Sequence, residues 1–134
     1  MNPLSISKER LLVAYDMEDE TDEMLGFGQI RPLKINDLNK LYELASLFVF
    51  RPKRSSGVGS ALVNELLKRF DEDRQNNGNI CLLTLKATIP FYLAFGFTVV
   101  IREDIPSPLM LEYTAGNIIS NLLGNELCCM IREN

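Results

Sequence analysis

The spacing of hydrophobic residues changes from two to four within Val49–Ser60, and this limits the folds open to the chain more than any other feature. Before the change, Leu41 to Phe50 is apolar on both alternating faces, with Leu47 and Val49 on one and Leu44, Phe48 and Phe50 on the other. Such a run reads as a central strand covered on both sides, with Glu43 as its anomaly. After the change, Val58, Leu62, Leu66 and Phe70, flanked by Ala61 and Leu67, make one helical stripe. Asn64, Glu65, Lys68 and Arg69 take the other face, where Glu65 and Arg69 are spaced for an i,i+4 pair. A turn from Asn76 to Asn79 with Gly78 leads to a second buried strand, Ile80 to Leu85. Strand, helix and strand in that order imply a right-handed parallel crossover.

The flanks add antiparallel elements. Leu11–Tyr15 and Met24–Ile30 read as a hairpin. Between them six of the eight residues from Asp16 to Glu23 are carboxylates, either a solvated loop or a bias toward cationic substrates. Gly26 and Gly28 share one face and leave room there for a ligand or a packed neighbour, unless they mark a bulge. A short helix over Pro90–Phe95, a stop at Gly96 and a strand over Phe97–Ile101 follow. Pro106 and Pro108 precede an amphipathic segment with Leu111, Ala115, Ile118, Ile119, Leu122 and Leu123 at helical spacing and Gly124 as its end. Leu127–Ile131 closes the chain as a strand. The expectation is one α+β domain over residues 1–134: a mixed, mostly antiparallel sheet with a central parallel crossover and helices on both faces.

Composition removes several chemistries. With no histidine, the serine-histidine triad, the histidine-paired cysteine and the two-histidine zinc helix are all excluded. The three cysteines are an odd number, with Cys128 and Cys129 adjacent, so buried reduced thiols fit better than disulfides or a metal site. A net charge of -4 argues against nucleic-acid binding, Arg51–Arg54 being the one basic cluster. The apolar runs are too short to cross a bilayer, and Met1–Lys8 lacks the apolar stretch of a secretory signal, which gives a cytoplasmic expectation.

The chemistry concentrates in Arg54–Ser60. Backbone amides at a helix start are unpaired donors at the positive end of the macrodipole, and glycine lets a diphosphate approach them. A glycine turn that merely caps the helix is the other reading. The Walker pattern fails for want of Gly-Lys-Ser/Thr, and the dinucleotide fingerprint fails because Leu62 stands where glycine or alanine is needed.

Here the chain resembles the GNAT superfamily of acyl-CoA N-acyltransferases, whose signature is Arg/Gln-x-x-Gly-x-Gly/Ala between a strand and a helix. Arg54, Gly57 and Gly59 match it, Val49 precedes at the family's spacing, and Tyr92-Leu93-Ala94-Phe95-Gly96-Phe97 resembles the family's Tyr-x-x-x-Gly-Phe segment. The likeness covers about Leu11 to Ile101. It implies that the backbone of Leu47, Phe48 and Val49 pairs with the pantetheine arm of acetyl-CoA. It also implies that Arg54, Ser55, Ser56, Gly57, Val58, Gly59 and Ser60 hold the pyrophosphate, with Arg51 and Lys53 serving the remaining phosphate. A strand interruption after Leu47 would aim an amide at the thioester oxygen.

By the same resemblance Tyr92 protonates the departing thiolate, although packing under a helix would also explain that ring. Glu43 stands six residues before Val49, where some members carry a carboxylate base, and a paired or solvated strand-end carboxylate is the equal alternative. The family's usual first strand and two helices have no counterpart here, so the acceptor wall would come from a partner subunit, from Ser107–Gly124 or from upstream sequence. Thr84–Lys86 replaces the family's common asparagine. The implied activity is acetyl transfer from acetyl-CoA to a small-molecule or peptide amine, without metal. No nucleic-acid or membrane partner is expected, and a homodimer is expected because a domain lacking the usual flanking helices would otherwise expose an apolar sheet face or edge. A catalytically silent acyl-CoA-binding or regulatory module is the alternative.

Overall fold

The computed structural model describes residues 11–15, 23–35, 40–50, 57–73 and 76–134. In chain order the elements are β1 (Leu12–Tyr15), β2 (Met24–Ile35), β3 (Lys40–Val49), α1 (Val58–Glu72), β4 (Asn79–Leu85), α2 (Ile89–Leu93), β5 (Thr98–Val100), α3 (Ser107–Leu122) and β6 (Leu127–Arg132). Short 3-10 turns stand at Lys86–Thr88 and Arg102–Asp104. The six strands form one mixed sheet in the order β1-β2-β3-β4-β6-β5, the α+β architecture expected from the period change. β2 runs five residues past the expected Ile30, through Pro32 to Ile35. No helix among the described residues is long and apolar enough to cross a membrane.

The chain packs as two compact units. The first comprises Met1–Arg31 with Leu44–Asn77. In it β1 pairs antiparallel with β2 from Leu12–Gly28 to Tyr15–Met24, with a register shift between Ala14 and Tyr15. The Phe50 amide donates to the Leu25 carbonyl at 3.0 Å. α1 buries Leu62, Val63, Leu66, Leu67 and Phe70; of the expected stripe, Val58 is half-buried and Ala61 exposed, and Val63 is added. Burial of such side chains stabilises by roughly 1.5–3 kcal/mol each before the entropy of ordering is subtracted. Glu65 and Arg69 make the expected pair at 3.0 Å, but both are exposed and the contribution is small.

The second unit comprises Pro32–Glu43 with Gly78–Asn134. Its parallel ladder is three pairs long, Leu41–Asn79, Tyr42–Ile80 and Glu43–Cys81. β6 then pairs antiparallel with β4 from Ile80–Arg132 to Leu85–Leu127, and β5 with β6 from Thr98–Ile131 to Val100–Cys129. Cys81, Cys129, Ile105 and Leu109 form a buried cluster with Leu41, Leu83, Ile131, Met110 and Tyr113 against it, so α3 covers this face of the strands. Two of the three thiols are buried and the third, Cys128, is half-buried, all of them free.

α3 departs from the amphipathic reading. Leu109 is fully buried, a Cβ on Gly116 would stand 2.9 Å from Leu127 Cδ2, and the Leu127 amide donates to Asn117 Oδ1 at 3.4 Å. These contacts fix the rotation of the helix, so Leu111, Ile118, Ile119 and Leu122 point outward and are exposed. The stripe that spacing suggested is therefore not the face that covers the sheet.

Candidate functional site

In the first unit α1 begins at Val58, and Gly57 stands before it at φ 88°, ψ 0°. That left-handed conformation suits glycine, because other L-residues pay roughly 1–2 kcal/mol to hold it. Among the described residues no side chain caps this end, and no acid lies in the first turn. The first intrahelical bond runs from the Ala61 amide to the Gly57 carbonyl at 3.0 Å. The amides of Val58, Gly59 and Ser60 precede it, and donors in that position suit an anion. Arg54, Ser55 and Ser56, with Arg51 and Lys53, lie outside the described residues.

The backbone of β3 leaves ordinary strand dihedrals at Ser46, just before the segment where the cofactor's pantetheine was expected to run. Ser46 has φ 58°, so the break lies one residue before Leu47 rather than after it. A non-glycine residue there costs about 1–3 kcal/mol and persists only when its surroundings hold it. Gln29, which is 1% exposed, donates from Nε2 to Ser46 Oγ at 3.3 Å. Gly26 and Gly28 are explained by packed neighbours. A Cβ on Gly26 would stand 2.6 Å from the Phe48 carbonyl, and one on Gly28 would stand 3.0 Å from Leu47 Cδ1 and 3.2 Å from Leu66 Cδ1.

Leu47, Phe48 and Val49 follow the break and lie past the three ladder pairs that join β3 to β4. Phe48 stacks on Phe27 with ring centres 5.7 Å apart and meets Phe50 edge-on at 5.3 Å. Gln29 and Ser46 were not singled out in the sequence. Gln29, a polar residue inside an apolar run, was the available signal, whereas Ser46 offered none.

Tyr92 belongs to the second unit, on α2. The Phe95 and Phe97 amides both donate to its carbonyl, at 3.0 and 3.4 Å, and Gly96 turns the chain at φ 90°. Phe97 is fully buried and its ring packs edge-on to Tyr92 at 6.0 Å, with Phe91 on another side at 4.9 Å. The Tyr-x-x-x-Gly-Phe spacing is thus a helix end that clamps one phenol. Burial raises the Tyr92 pKa, so the hydroxyl keeps its proton at neutral pH.

Glu43, also in the second unit, is 5% exposed and stands in register with Cys81. Register partners on adjacent strands share a face, here the one covered by α3. Burial chiefly, aided by the charges of Glu43 and Cys128, pushes the Cys129 thiol up to about 11. Cys81 is raised still further, by burial first and then by Cys129 and Glu43, and its thiol donates to the Tyr42 carbonyl at 3.2 Å. Among the described residues no cluster of histidine, cysteine or carboxylate side chains suits a metal ion. The cofactor candidates that are described all belong to the first unit, and Tyr92 and Glu43 to the second.

The family model for the acetyltransferase (GNAT) domain matches residues 7–99. Among solved structures, the Mycobacterium tuberculosis protein Rv2747 in complex with CoA is similar at TM-score 0.67 and 19% identity, over 93% of this chain and 76% of that one. Neisseria gonorrhoeae N-acetylglutamate synthase, complexed with coenzyme A and N-acetyl-glutamate, is similar at TM-score 0.64 and 15% identity, over 96% of this chain and 28% of that one. Arabidopsis thaliana Naa50 with a CoA-linked bisubstrate analogue is similar at TM-score 0.60 and 21% identity, over 84% of this chain and 68% of that one. At these identities the likeness is one of fold. No curated protein sequence matches this chain significantly.

Proposed function

This chain belongs to the GNAT acetyltransferase family, and we propose that it moves the acetyl group of acetyl-CoA to an amine by direct attack in a ternary complex. The observation that carries the reading is the start of α1: a left-handed Gly57, no side-chain cap among the described residues and no acid in the first turn, which together suit backbone donors to a diphosphate. The break at Ser46 supports a pantetheine path along Leu47, Phe48 and Val49. Arg54, Ser55 and Ser56 complete the pyrophosphate site in this reading.

The amine nitrogen attacks the thioester carbonyl carbon, the C–S bond breaks, the thiolate takes the Tyr92 proton, and the proton that the nitrogen sheds as the amide forms restores the Tyr92 phenol. Glu43 takes the proton released by the attacking ammonium. A small amine or a peptide amino terminus is the acceptor class, supported by the amino-acid and peptide-analogue complexes of two structural neighbours.

Calorimetry with acetyl-CoA, followed by thiol release across a panel of amino acids, peptides and polyamines, tests the proposal. Tight binding and turnover with at least one amine are expected. Binding without turnover across the panel would identify a silent acyl-CoA-binding module instead, and no binding would remove the cofactor site.

A further inference from the structure

We propose that the outward face of α3 is a self-association surface on which a second copy of this chain lays its own α3 antiparallel. Five large aliphatic side chains stand on or just past this helix in solvent, Leu111 81%, Ile118 59%, Ile119 59%, Leu122 82% and Leu123 74% exposed. The helix is not turned this way for want of alternatives. Leu109, the close approach at Gly116 and the Asn117 hydrogen bond lock the opposite face onto the strands.

Leu111, Ala115, Ile118 and Leu122 are spaced four, three and four residues apart, the alternation of a two-helix seam. Two such seams fit when run in opposite directions. Leu111 of one copy then meets Leu122 of the other, and Ile118 meets the small Ala115. A shallow crossing of about 20° keeps all four positions in contact along the pair.

Charge selects the same direction. Glu112 is the one charged residue on α3. A parallel pair would place both Glu112 carboxylates at the same end of the seam, whereas the antiparallel pair separates them. Area agrees as well. The stripe offers roughly 500 Å² per copy, at the upper end for a monomer's largest apolar patch, and burying it twice removes about 1,000 Å², where specific interfaces begin. None of this depends on the acyl-transfer reading.

Sedimentation of the full chain at micromolar concentration should show twice the 15.2 kDa mass of one copy. Ile118→Glu should raise the dissociation constant at least ~100-fold, as for a residue at the centre of an interface, with an unchanged circular dichroism spectrum. A wild-type monomer, or an Ile118→Glu variant that dimerises as before, would overturn the proposal. Direction is read by cross-linking in a Cys128→Ser background. Leu111→Cys copies mixed with Leu122→Cys copies should join to each other under mild oxidation, and joining of Leu111→Cys copies among themselves would overturn the antiparallel arrangement.

Discussion

Gly57 allows stability and cofactor binding to be separated by one charge. Gly57→Asn and Gly57→Asp are matched in size, and both place at φ 88° one of the side chains that best tolerate left-handed backbone. No atom of the described residues lies within 4 Å of a Cβ built there. Each should lose about 1 kcal/mol of stability relative to glycine. The aspartate then regains ~0.3–1 kcal/mol from its carboxylate at the positive end of α1. Gly57→Asp should therefore melt at or above Gly57→Asn. For the ligand the sign reverses. A carboxylate about 5 Å from one phosphate charge, at an effective permittivity near 20, costs ~3 kcal/mol, or roughly 100-fold in affinity. Calorimetry with acetyl-CoA at physiological salt should thus rank the two variants opposite to their thermal order. Equal affinities in the two folded variants would show that no anion sits at this helix start, and the reasoning would fail.

Tyr92→Phe should lower kcat by roughly 100-fold or more with little change in acetyl-CoA affinity, measured once an acceptor is known; an unchanged kcat with chemistry rate-limiting removes the acid role. Glu43→Gln should lower turnover if the carboxylate takes the ammonium proton, and by removing its field should let Cys129 titrate below about 11, which thiol-specific absorbance reads independently. Because burial raises the folded-state pKa of Cys129 above the ordinary thiol value, its contribution to stability is full below about pH 9 and lost as pH rises toward about 11, so denaturant midpoints should fall across that window. Gly78→Ala should destabilise by at least ~2–3 kcal/mol, seen as a lower denaturant midpoint, because a Cβ there would stand 2.1 Å from the Lys40 carbonyl at the start of the parallel ladder.

The period change foretold β3, α1 and β4 as elements, although Phe48 and Phe50 at the end of the β3 run are exposed, and the turn chemistry of Gly57 and Gly96 gave the start of α1 and the turn after α2. The break at Ser46 was invisible. A bulge-like residue is chosen by the neighbours that hold it, here Gln29, rather than by its own propensity. It also upsets face counting, because alternation counted across Ser46 from Leu44 to Phe48 and Phe50 assumes a regular strand. α3 shows the opposite failure. Its spacing correctly gave a helix, but hydrophobicity alone pointed to the wrong face, since Gly116 and Asn117 decide the rotation through close approach and a hydrogen bond.

The surroundings of Tyr92 bear on whether a half-buried phenol can serve as an acid for a thiolate. Burial raises its pKa, which taken alone makes it a poorer proton donor. The acceptor of that proton is itself an anion formed at the moment the C–S bond breaks, and a thiolate shielded from water suffers the same penalty. Both pKa values then move in one direction; an ordinary phenol and an ordinary thiol differ by ~1.5 units, about 2 kcal/mol. A gap of that size is small beside the barrier of thioester aminolysis, and the transfer becomes downhill for the overall step once the amide has formed. What the protein must supply is position. The two hydrogen bonds to the Tyr92 carbonyl, the left-handed Gly96 and the fully buried Phe97 ring fix the backbone and one face of the phenol before any substrate arrives. In Tyr92→Phe that frame stays intact while the proton is lost, so a fall in kcat reports on the proton alone.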